Sequence, residues 1–304
     1  MVVTVRTMRW ITATLGLLLA VTGCTSPAQP EATHSPSPAH SPSPSVLPSR
    51  TPALNRPDHV LVVVFENKAF GHEVGSSQAP YLNNLLNGSA VFTRSYAITH
   101  PSQPNYLALF SGSTQGVTSD RCLSRWHDRP NLGAQLIEAG HTFTGYSEGL
   151  PRAGYRGCYS GRYAAKHNPW VNFDNVPDAS NQPYTAFPSD YAKLPTVSFV
   201  VPDLCNDMHD CGTAAGDAWA AKNLEPYRQW AAGHNSLLVI TYDEDDGGSA
   251  NQILTLVTGA GVRPGRYSER IDHYGVLRMI EDLYGLPGIG KAATAKPVTD
   301  IWVR

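Results

Sequence analysis

The sequence shows little excess of either charge and no run of basic residues. Lys and Arg number 23, Asp and Glu number 25, and the formal net charge is −2. A protein that binds a nucleic-acid polyanion concentrates positive charge on one surface. We therefore expect no nucleic-acid partner.

Cysteine is scarce and never occurs as a C-x-x-C pair, which argues against a thiolate metal site. The chain has five cysteines, and setting Cys24 aside leaves an even number, as expected for disulfides in an oxidising compartment. Four cysteines allow three pairings. We favour Cys205–Cys211, which closes one short loop, together with Cys122–Cys158.

The N-terminus lacks an apolar run long enough to cross a bilayer comfortably. Arg6 and Arg9 precede the apolar stretch ITATLGLLLAVTG, a pattern typical of a signal peptide over residues 1–23. The stretch ends at VTGC, which resembles a bacterial lipobox and predicts that Cys24 becomes lipidated. The alternative is an ordinary secretory signal that is cleaved a few residues later, near SPA.

Residues 24–57 lack the apolar content needed for a core. They are almost entirely Pro, Ser, Ala and Thr, which predicts an extended tether with polyproline character. We expect the folded domain to occupy residues 58–304 and the lipid on Cys24 to hold it at the outer face of a membrane. A secreted form follows if the secretory alternative is correct.

The folded part alternates strand-like and helix-like segments. The strand patterns are HVLVVVFEN, VFTRSYAIT, HTFTGYSE, TVSFVVPDL, SLLVITYDED and NQILTLVTGAGV, and the helix patterns include PNYLALFSG, AWAAKNLEPYRQWAA and YGVLRMIEDLYGL. This alternation predicts an α/β fold with a mostly parallel central sheet and helices on both faces. Residues 125–190 are rich in Tyr, Asn, Gly and Pro, and we expect a loop-rich insertion over the carboxyl edge of the sheet.

Acidic and amide side chains follow the strands at that edge, where ligands bind in such sheets. Glu66 and Asn67 end the first strand, and Asp243 and Glu244 end a later one. Buried carboxylates repel one another unless a cation lies between them. We therefore predict a divalent metal site with oxygen ligands. Solvated acids in loops are the alternative.

Three histidines lie near these clusters. His209 follows Asp207 in NDMHD, His273 opens the last helix, and His100 lies beside Ser102. His209 and His273 are candidate metal ligands, although a single histidine is more often structural. His100 could orient a substrate.

Two serines compete as nucleophile. Ser147 lies in GYSEG, which matches the G-x-S-x-G pattern of α/β-hydrolases, with Asp243 and His273 following in the expected order. That pattern requires a helix after the serine, and LPRAGYRGCYSG prevents one. Ser102 precedes a helix-like segment, whose first N–H groups could bind an anionic oxygen together with Asn105. A metal would lower the pKa of the Ser102 hydroxyl without a histidine base.

The motifs VVVFEN, HPSQPNYLALFSG, PDLCNDMHD, GDAWAAKNL, TYDEDDG and HYGVLRMIEDLYGL occur in this order. Together they resemble the bacterial phosphoesterase family of acid phosphatases and phospholipase C-type enzymes, within the alkaline-phosphatase-like superfamily. The resemblance implies a metal-dependent hydrolase that acts on a phosphate ester through a phosphoserine. It makes Ser102 the nucleophile and a metal ligand, and places Asn105 at a phosphoryl oxygen. The remaining implied ligands are Glu66, Asn67, Asp243, Glu244, His209 and His273, with Asp207 or Asp203 as alternatives for one position.

The expected function is hydrolysis of small phosphate esters at the cell envelope. GGSANQI stands where phospholipase-like members carry an aromatic run, which argues against a phospholipid substrate. Diesterase activity, a serine esterase that uses Ser147, and a catalytically inactive envelope protein are the alternatives. The ligand types admit Mg, Mn, Ca, Zn or Fe.

Overall fold

A computed structural model describes residues 56–248 and 250–303. The predicted signal peptide, the lipidation site at Cys24 and nearly all of the tether lie outside the described residues. Within them, every helix is too short or too polar to cross a membrane.

Ten strands form in the described chain. They are β1 (His59–Phe65), β2 (Ala90–Tyr96), β3 (Phe143–Ser147), β4 (Tyr159–Ser160), β5 (Tyr163–Ala164), β6 (Asn181–Pro183), β7 (Val197–Val201), β8 (Ser236–Tyr242), β9 (Gln252–Gly259) and β10 (Gly265–Asp272). Eight of them build one sheet in the order β10-β2-β9-β8-β1-β7-β3-β6, and β4 pairs with β5 as a separate hairpin. Only β9 runs antiparallel to its neighbours in the large sheet. The predicted α/β fold with a mostly parallel sheet is confirmed.

Six α-helices accompany the strands. They are α1 (Phe70–Glu73), α2 (Pro80–Leu85), α3 (Ser102–Ser111), α4 (Leu132–Glu138), α5 (Thr213–Ala232) and α6 (His273–Tyr284). All residues of α3 are buried, since it packs with α6 on one face of the sheet. The helix ends at Gly112, whose positive φ of 65° and close approach to the backbone of Ile289 leave no room for a Cβ.

Strand β1 shows why helices cover both faces. Its even-numbered residues Val60, Val62 and Val64 belong to the core beneath α3 and α6. Leu61, Val63 and Phe65 face the opposite core, which includes residues of α2 and α5. Successive side chains of a strand point to opposite faces, so the continuous apolar run is buried on both.

Part of the predicted insertion 125–190 belongs to the main sheet. Helix α4 leads into β3, which pairs with β7, and β6 extends the sheet beyond β3. The remainder, after Ser147, consists mainly of turns, short 3₁₀ helices and the β4–β5 hairpin. Both predicted disulfides, Cys122–Cys158 and Cys205–Cys211, are present.

Candidate active site

Glu66 lies at the centre of a buried polar cluster at the carboxyl edge of the sheet. It follows β1 directly, and its side chain is fully buried. Its Oε1 accepts a hydrogen bond from the Tyr106 hydroxyl at 2.5 Å, and its Oε2 accepts one from Asn67 Nδ2 at 2.9 Å. The end of a central strand therefore carries a carboxylate that solvent does not reach.

Ser102 is the first residue of α3, and its hydroxyl points into this cluster. Its Oγ lies 3.1 Å from Glu66 Oε2 and 3.3 Å from Glu244 Oε1. The N-terminus of a helix carries partial positive charge and unpaired N–H groups. A hydroxyl oxygen and an electropositive helix end thus occur at the same position.

Asp243 and Glu244 follow β8, the strand beside β1. Asp243 Oδ1 accepts the backbone N–H of Asn67 at 3.0 Å, and Asn67 adopts a positive φ of 54° at this contact. Glu244 Oε2 lies 2.9 Å from His100 Nδ1 and 3.3 Å from Asn105 Nδ2. Parallel pairing of β1 with β8 brings these residues together.

Asn105 is largely engaged with the loop before α3. Its Oδ1 accepts the backbone N–H groups of Ile98 and Thr99 at 3.0 and 3.1 Å, and its Nδ2 donates to Thr99 O at 2.8 Å. The structure therefore assigns Asn105 to holding this loop. Contact with a phosphoryl oxygen stays a prediction.

His167 completes the cluster from the loop-rich segment. A nitrogen of its ring and carboxylate oxygens of Glu66 and Asp207 all lie within 4.8 Å of one another, and all three residues are buried. His167 Nε2 is 3.1 Å from Glu66 Oε1, and Nδ1 is 3.2 Å from Asp207 Oδ2. Nε2 and Asp207 Oδ2 nevertheless have no hydrogen-bond partner among the described residues. Buried nitrogen and oxygen atoms that lie this close together without hydrogen-bond partners are suited to act as ligands of a cation.

The pKa values of the cluster also fit a bound cation. Burial, followed by repulsion from Asp243 and Asp207, holds the pKa of Glu66 well above its usual range. Burial raises the pKa of Asp207 and of Asp243 to about 7, and burial together with Asp243 raises that of Glu244 to about 8. Burial also holds the pKa of His167 well below its usual range, so its ring is neutral. A divalent cation would relieve this repulsion, and a neutral imidazole is the form that ligates metals.

Two of the predicted histidine ligands lie outside the group formed by Glu66, His167 and Asp207. His273 is buried, but its Nε2 lies 2.6 Å from the backbone carbonyl of Asp243 and is committed there. His209 lies near the surface, with its Nδ1 2.7 Å from Asp210 Oδ1. Hydrogen bonds to neighbouring groups orient both rings, and a metal-ligand role for His209 or His273 stays a prediction.

Of the two aspartates proposed for one position, the structure favours Asp207. Its Oδ1 accepts the backbone N–H of His209, and its Oδ2 faces His167. Asp203 instead accepts the N–H groups of Cys205 and Asn206 and thereby stabilises the turn. The Cys205–Cys211 disulfide encloses the segment that carries Asp207.

Ser147 lies apart from this cluster. It ends β3, a turn follows it instead of a helix, and its Oγ lies 2.5 Å from Asn168 Oδ1. The context required for a nucleophile elbow is therefore absent. Ser147 instead anchors the turn that begins immediately after His167.

The sequence-based reasoning missed His167 and Tyr106. Tyr106 stacks on His167 with ring centroids 5.1 Å apart and also donates to Glu66. His167 follows no predicted strand, and AAKHNPW contains no ligand spacing. For Tyr106 the sequence offered one signal, its position directly after Asn105 in the PNY of the α3 motif.

A family model described as Phosphoesterase family matches residues 75–287. The chain is 51% identical over 246 residues to the phosphatidylinositol-3-phosphatase of Mycobacterium tuberculosis, which covers 80% of this chain and 82% of that protein. It is 30% identical over 228 residues to an acid phosphatase of Aspergillus fumigatus, covering 68% of this chain and 51% of that longer protein. The solved structure of an alkaline phosphatase superfamily protein from Vibrio parahaemolyticus superposes with a TM-score of 0.55 at 13% identity, over 84% of this chain and 76% of that one. This last likeness concerns the fold alone.

Proposed function

We propose that this chain, which belongs to the phosphoesterase family, hydrolyses phosphate monoesters through a phosphoserine formed on Ser102. The observation that carries the proposal is the position of the Ser102 hydroxyl. It lies at the start of α3, within hydrogen-bonding distance of carboxylates from two different strand ends, Glu66 and Glu244.

The donor set supports a divalent cation at this site. Glu66, His167 and Asp207 offer oxygen and nitrogen ligands at close range, and Asp207 Oδ2 and Asp243 Oδ2 are buried without hydrogen-bond partners among the described residues. When bound, a cation would supply Lewis-acid stabilisation of phosphoryl oxygens and lower the pKa of the nucleophile. The mixture of oxygen and nitrogen donors does not select one metal.

The protein groups define the remaining chemistry. Ser102 Oγ attacks phosphorus, its proton passes to the carboxylate of Glu244 or Glu66, and the bond to the leaving oxygen breaks as that oxygen takes up a proton from solvent. Water then attacks the phosphoserine, releasing inorganic phosphate and restoring the hydroxyl. The N–H groups at the start of α3 are placed to hold a phosphoryl oxygen during both steps.

The named relatives support a monoester substrate. The mycobacterial relative is named for removal of a phosphate from an inositol lipid, and the fungal relative is named an acid phosphatase. We propose that this chain acts on phosphorylated polyols, including such a lipid headgroup. This differs from the expectation based on GGSANQI, which argued against phospholipids.

We further propose that the enzyme works outside the cytoplasm, held to the membrane through Cys24. The two disulfides support an oxidising compartment. Incorporation of a labelled fatty acid into the expressed chain, and its loss in Cys24→Ala, tests the anchor. Label that persists in Cys24→Ala would contradict it.

Turnover of an aryl phosphate and of an aryl acetate by the purified chain tests the catalytic proposal. We expect phosphate hydrolysis that EDTA abolishes and a divalent cation restores, and acid quenching with labelled substrate should trap the label on Ser102. Acetate hydrolysis that resists EDTA would favour the esterase alternative. A metal-loaded protein that turns over neither ester would favour the inactive envelope protein.

A further inference from the structure

Lys166 brings a positive charge to the catalytic cluster. It lies in the 3₁₀ helix Ala165–His167, which packs against α3. The next residue, His167, faces Glu66 and Asp207. The side chain of Lys166 is 13% exposed, so its ammonium is largely shielded from water. A charge in such surroundings interacts more strongly with a ligand than one on the open surface.

Two contacts hold the ammonium between two sides of the cluster. On one side, Asp120 Oδ2 lies 2.9 Å from Lys166 Nζ, and Asp120 Oδ1 accepts the backbone N–H of Gln103, the second residue of α3, at 3.0 Å. On the other side, His209 Nε2 lies 3.4 Å from Nζ, and the His209 backbone N–H donates to Asp207 Oδ1. The ammonium therefore lies between the start of α3 and the segment that carries Asp207.

One N–H of the Lys166 ammonium has no partner among the described residues. An ammonium has three donors, and Asp120 and His209 account for two of them. The charge of Lys166 also acts on Glu66 and Glu244, the two carboxylates within hydrogen-bonding distance of the nucleophile. The remaining donor is thus available to a ligand that binds at the same position.

Lys68 also adjoins the cluster but has a different role. Its ammonium donates to the backbone carbonyl oxygens of Glu66, Asn67 and Met208, at 3.5, 3.0 and 3.0 Å. All three of its donors therefore hold the backbone in place. Of these two lysines, Lys166 is the one that retains a donor for a ligand.

A bound phosphoryl group needs such a donor. The start of α3 supplies few, because Asp120 occupies the Gln103 N–H and Pro104 has no N–H. A phosphate monoester has three non-bridging oxygens and carries about two negative charges at pH 7. The carboxylates of the cluster repel these charges, and a divalent cation offsets only part of the repulsion. A further positive group therefore favours binding.

We propose that Lys166 contacts a non-bridging oxygen of the phosphoryl group, and that Asp120 and His209 position its ammonium. The inference rests on the proposed phosphatase activity and names a further residue that binds the substrate. Because the phosphoryl group itself makes the contact, inorganic phosphate should make it as well. The alternative is that the ion pair of Lys166 with Asp120 only holds two loops together.

Inhibition by inorganic phosphate, with an aryl phosphate as substrate, tests this contact in the metal-loaded protein. We expect Lys166→Met to raise the inhibition constant of phosphate by at least about 10-fold, as for a lost charge-assisted hydrogen bond. The kcat/KM for the aryl phosphate should fall by a similar factor. Lys193→Met is the matched control, because Lys193 is also paired with a carboxylate but precedes the amino end of β7. Both constants should be unchanged in this control.

Asp120→Asn distinguishes phosphate binding from a structural ion pair. Asparagine keeps an oxygen that accepts the Gln103 N–H, and it removes the carboxylate that competes with phosphate for the ammonium. If Lys166 binds phosphate, the inhibition constant should stay the same or fall in Asp120→Asn. If the pair only holds the fold, both variants break the same contact. An equal rise of the inhibition constant in Lys166→Met and Asp120→Asn would overturn the proposal.

Calorimetric titration makes the proposal independent of turnover. The probes are inorganic phosphate and the divalent cation that restores activity after EDTA. Lys166→Met should bind the cation at least as tightly as the wild type, since a repelling charge is lost, and should bind phosphate more weakly. Loss of both affinities would overturn the proposal, because the substitution would then have disturbed the whole site.

A second variant and a second readout separate the possible failures. If Lys166→Met does not fold, Lys166→Gln, which also lacks the charge, replaces it in each measurement. A metal-loaded wild type that turns over no phosphate ester defeats the proposed function, whereas the phosphate titrations still decide the role of Lys166. Unchanged phosphate affinity in the Lys166 variant defeats this inference and leaves the proposed function standing.

Discussion

Two regions of the chain supply the candidate site in different ways. The strand ends carry Glu66, Asp243 and Glu244, and parallel pairing of β1 and β8 places them side by side. The loop-rich segment carries His167, whose ring stacks on Tyr106 of α3. Sheet topology therefore places the anionic groups, whereas side-chain packing places the histidine nitrogen.

Replacing the serine that begins α3 and the serine that hydrogen-bonds to Asn168 is expected to give the largest difference. We expect Ser102→Ala to lower kcat for an aryl phosphate by more than ~10³-fold, because the nucleophile is lost. Ser147→Ala should retain most of the turnover and lose about 1 kcal/mol of stability, since Asn168 loses a hydrogen-bond donor. Steady-state kinetics and denaturant unfolding measure the two effects. Equal losses of turnover in both variants would refute the assignment of roles.

His167 and His209 are expected to differ in their effect on metal binding. His167→Ala should weaken divalent-metal binding by at least ~10-fold, because its ring nitrogen faces Glu66 and Asp207. His209→Ala should weaken it much less, because that ring is paired with Asp210 at the surface. Calorimetric metal titration of both variants gives the affinities. The reverse order of affinities would remove His167 from the ligand set.

The two disulfides are expected to affect different properties: one mainly the stability of the fold, the other mainly the geometry of the site. Cys122–Cys158 spans 36 positions and Cys205–Cys211 spans 6. The chain-entropy model gives losses of about 4 and about 2 kcal/mol when the respective pair is replaced by alanine. Metal affinity should follow the opposite order, since the smaller ring encloses Asp207. Unfolding curves give the stability of the two double variants, and metal titrations give their affinities. If the variant that loses more stability also loses more metal affinity, the small ring has no structural role at the site.

A pH-dependent effect on stability is expected from a carboxyl group remote from both regions. Glu281 on α6 is buried, its Oε1 accepts the Ile289 N–H at 2.9 Å, and Arg278 and Asp282 are the charged groups that act on it. Burial raises its pKa to about 7. The folded state therefore binds this proton more tightly than the unfolded state, and stability falls as pH rises from the unfolded value of 4.5 through about 7.

Glu281→Gln should remove this loss of stability at high pH and keep the side-chain oxygen that accepts the Ile289 N–H. The free energy of unfolding of the variant, relative to that of the wild type, should rise by about 2 kcal/mol between pH 5 and pH 8. Urea unfolding at both pH values measures the difference, and site residues titrate alike in both proteins. A difference that does not change with pH would show that Glu281 titrates normally.

Much of the fold could be predicted because its signals are local. The apolar run of β1 and the glycine that ends α3 each reflect a preference of consecutive residues. β10 was not predicted, because most of its residues are exposed at the sheet edge and show no apolar pattern. The segment after Ser147 contains little regular structure, so hydrophobic periodicity could not predict its conformation.

From the sequence it was possible to predict most strands and helices in their order, to favour the disulfide pairs that the structure contains, and to place acidic groups and a serine where strands end and a helix begins. These follow from short-range patterns and from the rule that parallel strands end at one edge. The tertiary structure alone brings His167, one of 11 histidines, next to Glu66 and Asp207, and sets His209 and His273 against other partners. That arrangement depends on contacts between segments far apart in the chain, and no local preference encodes such contacts.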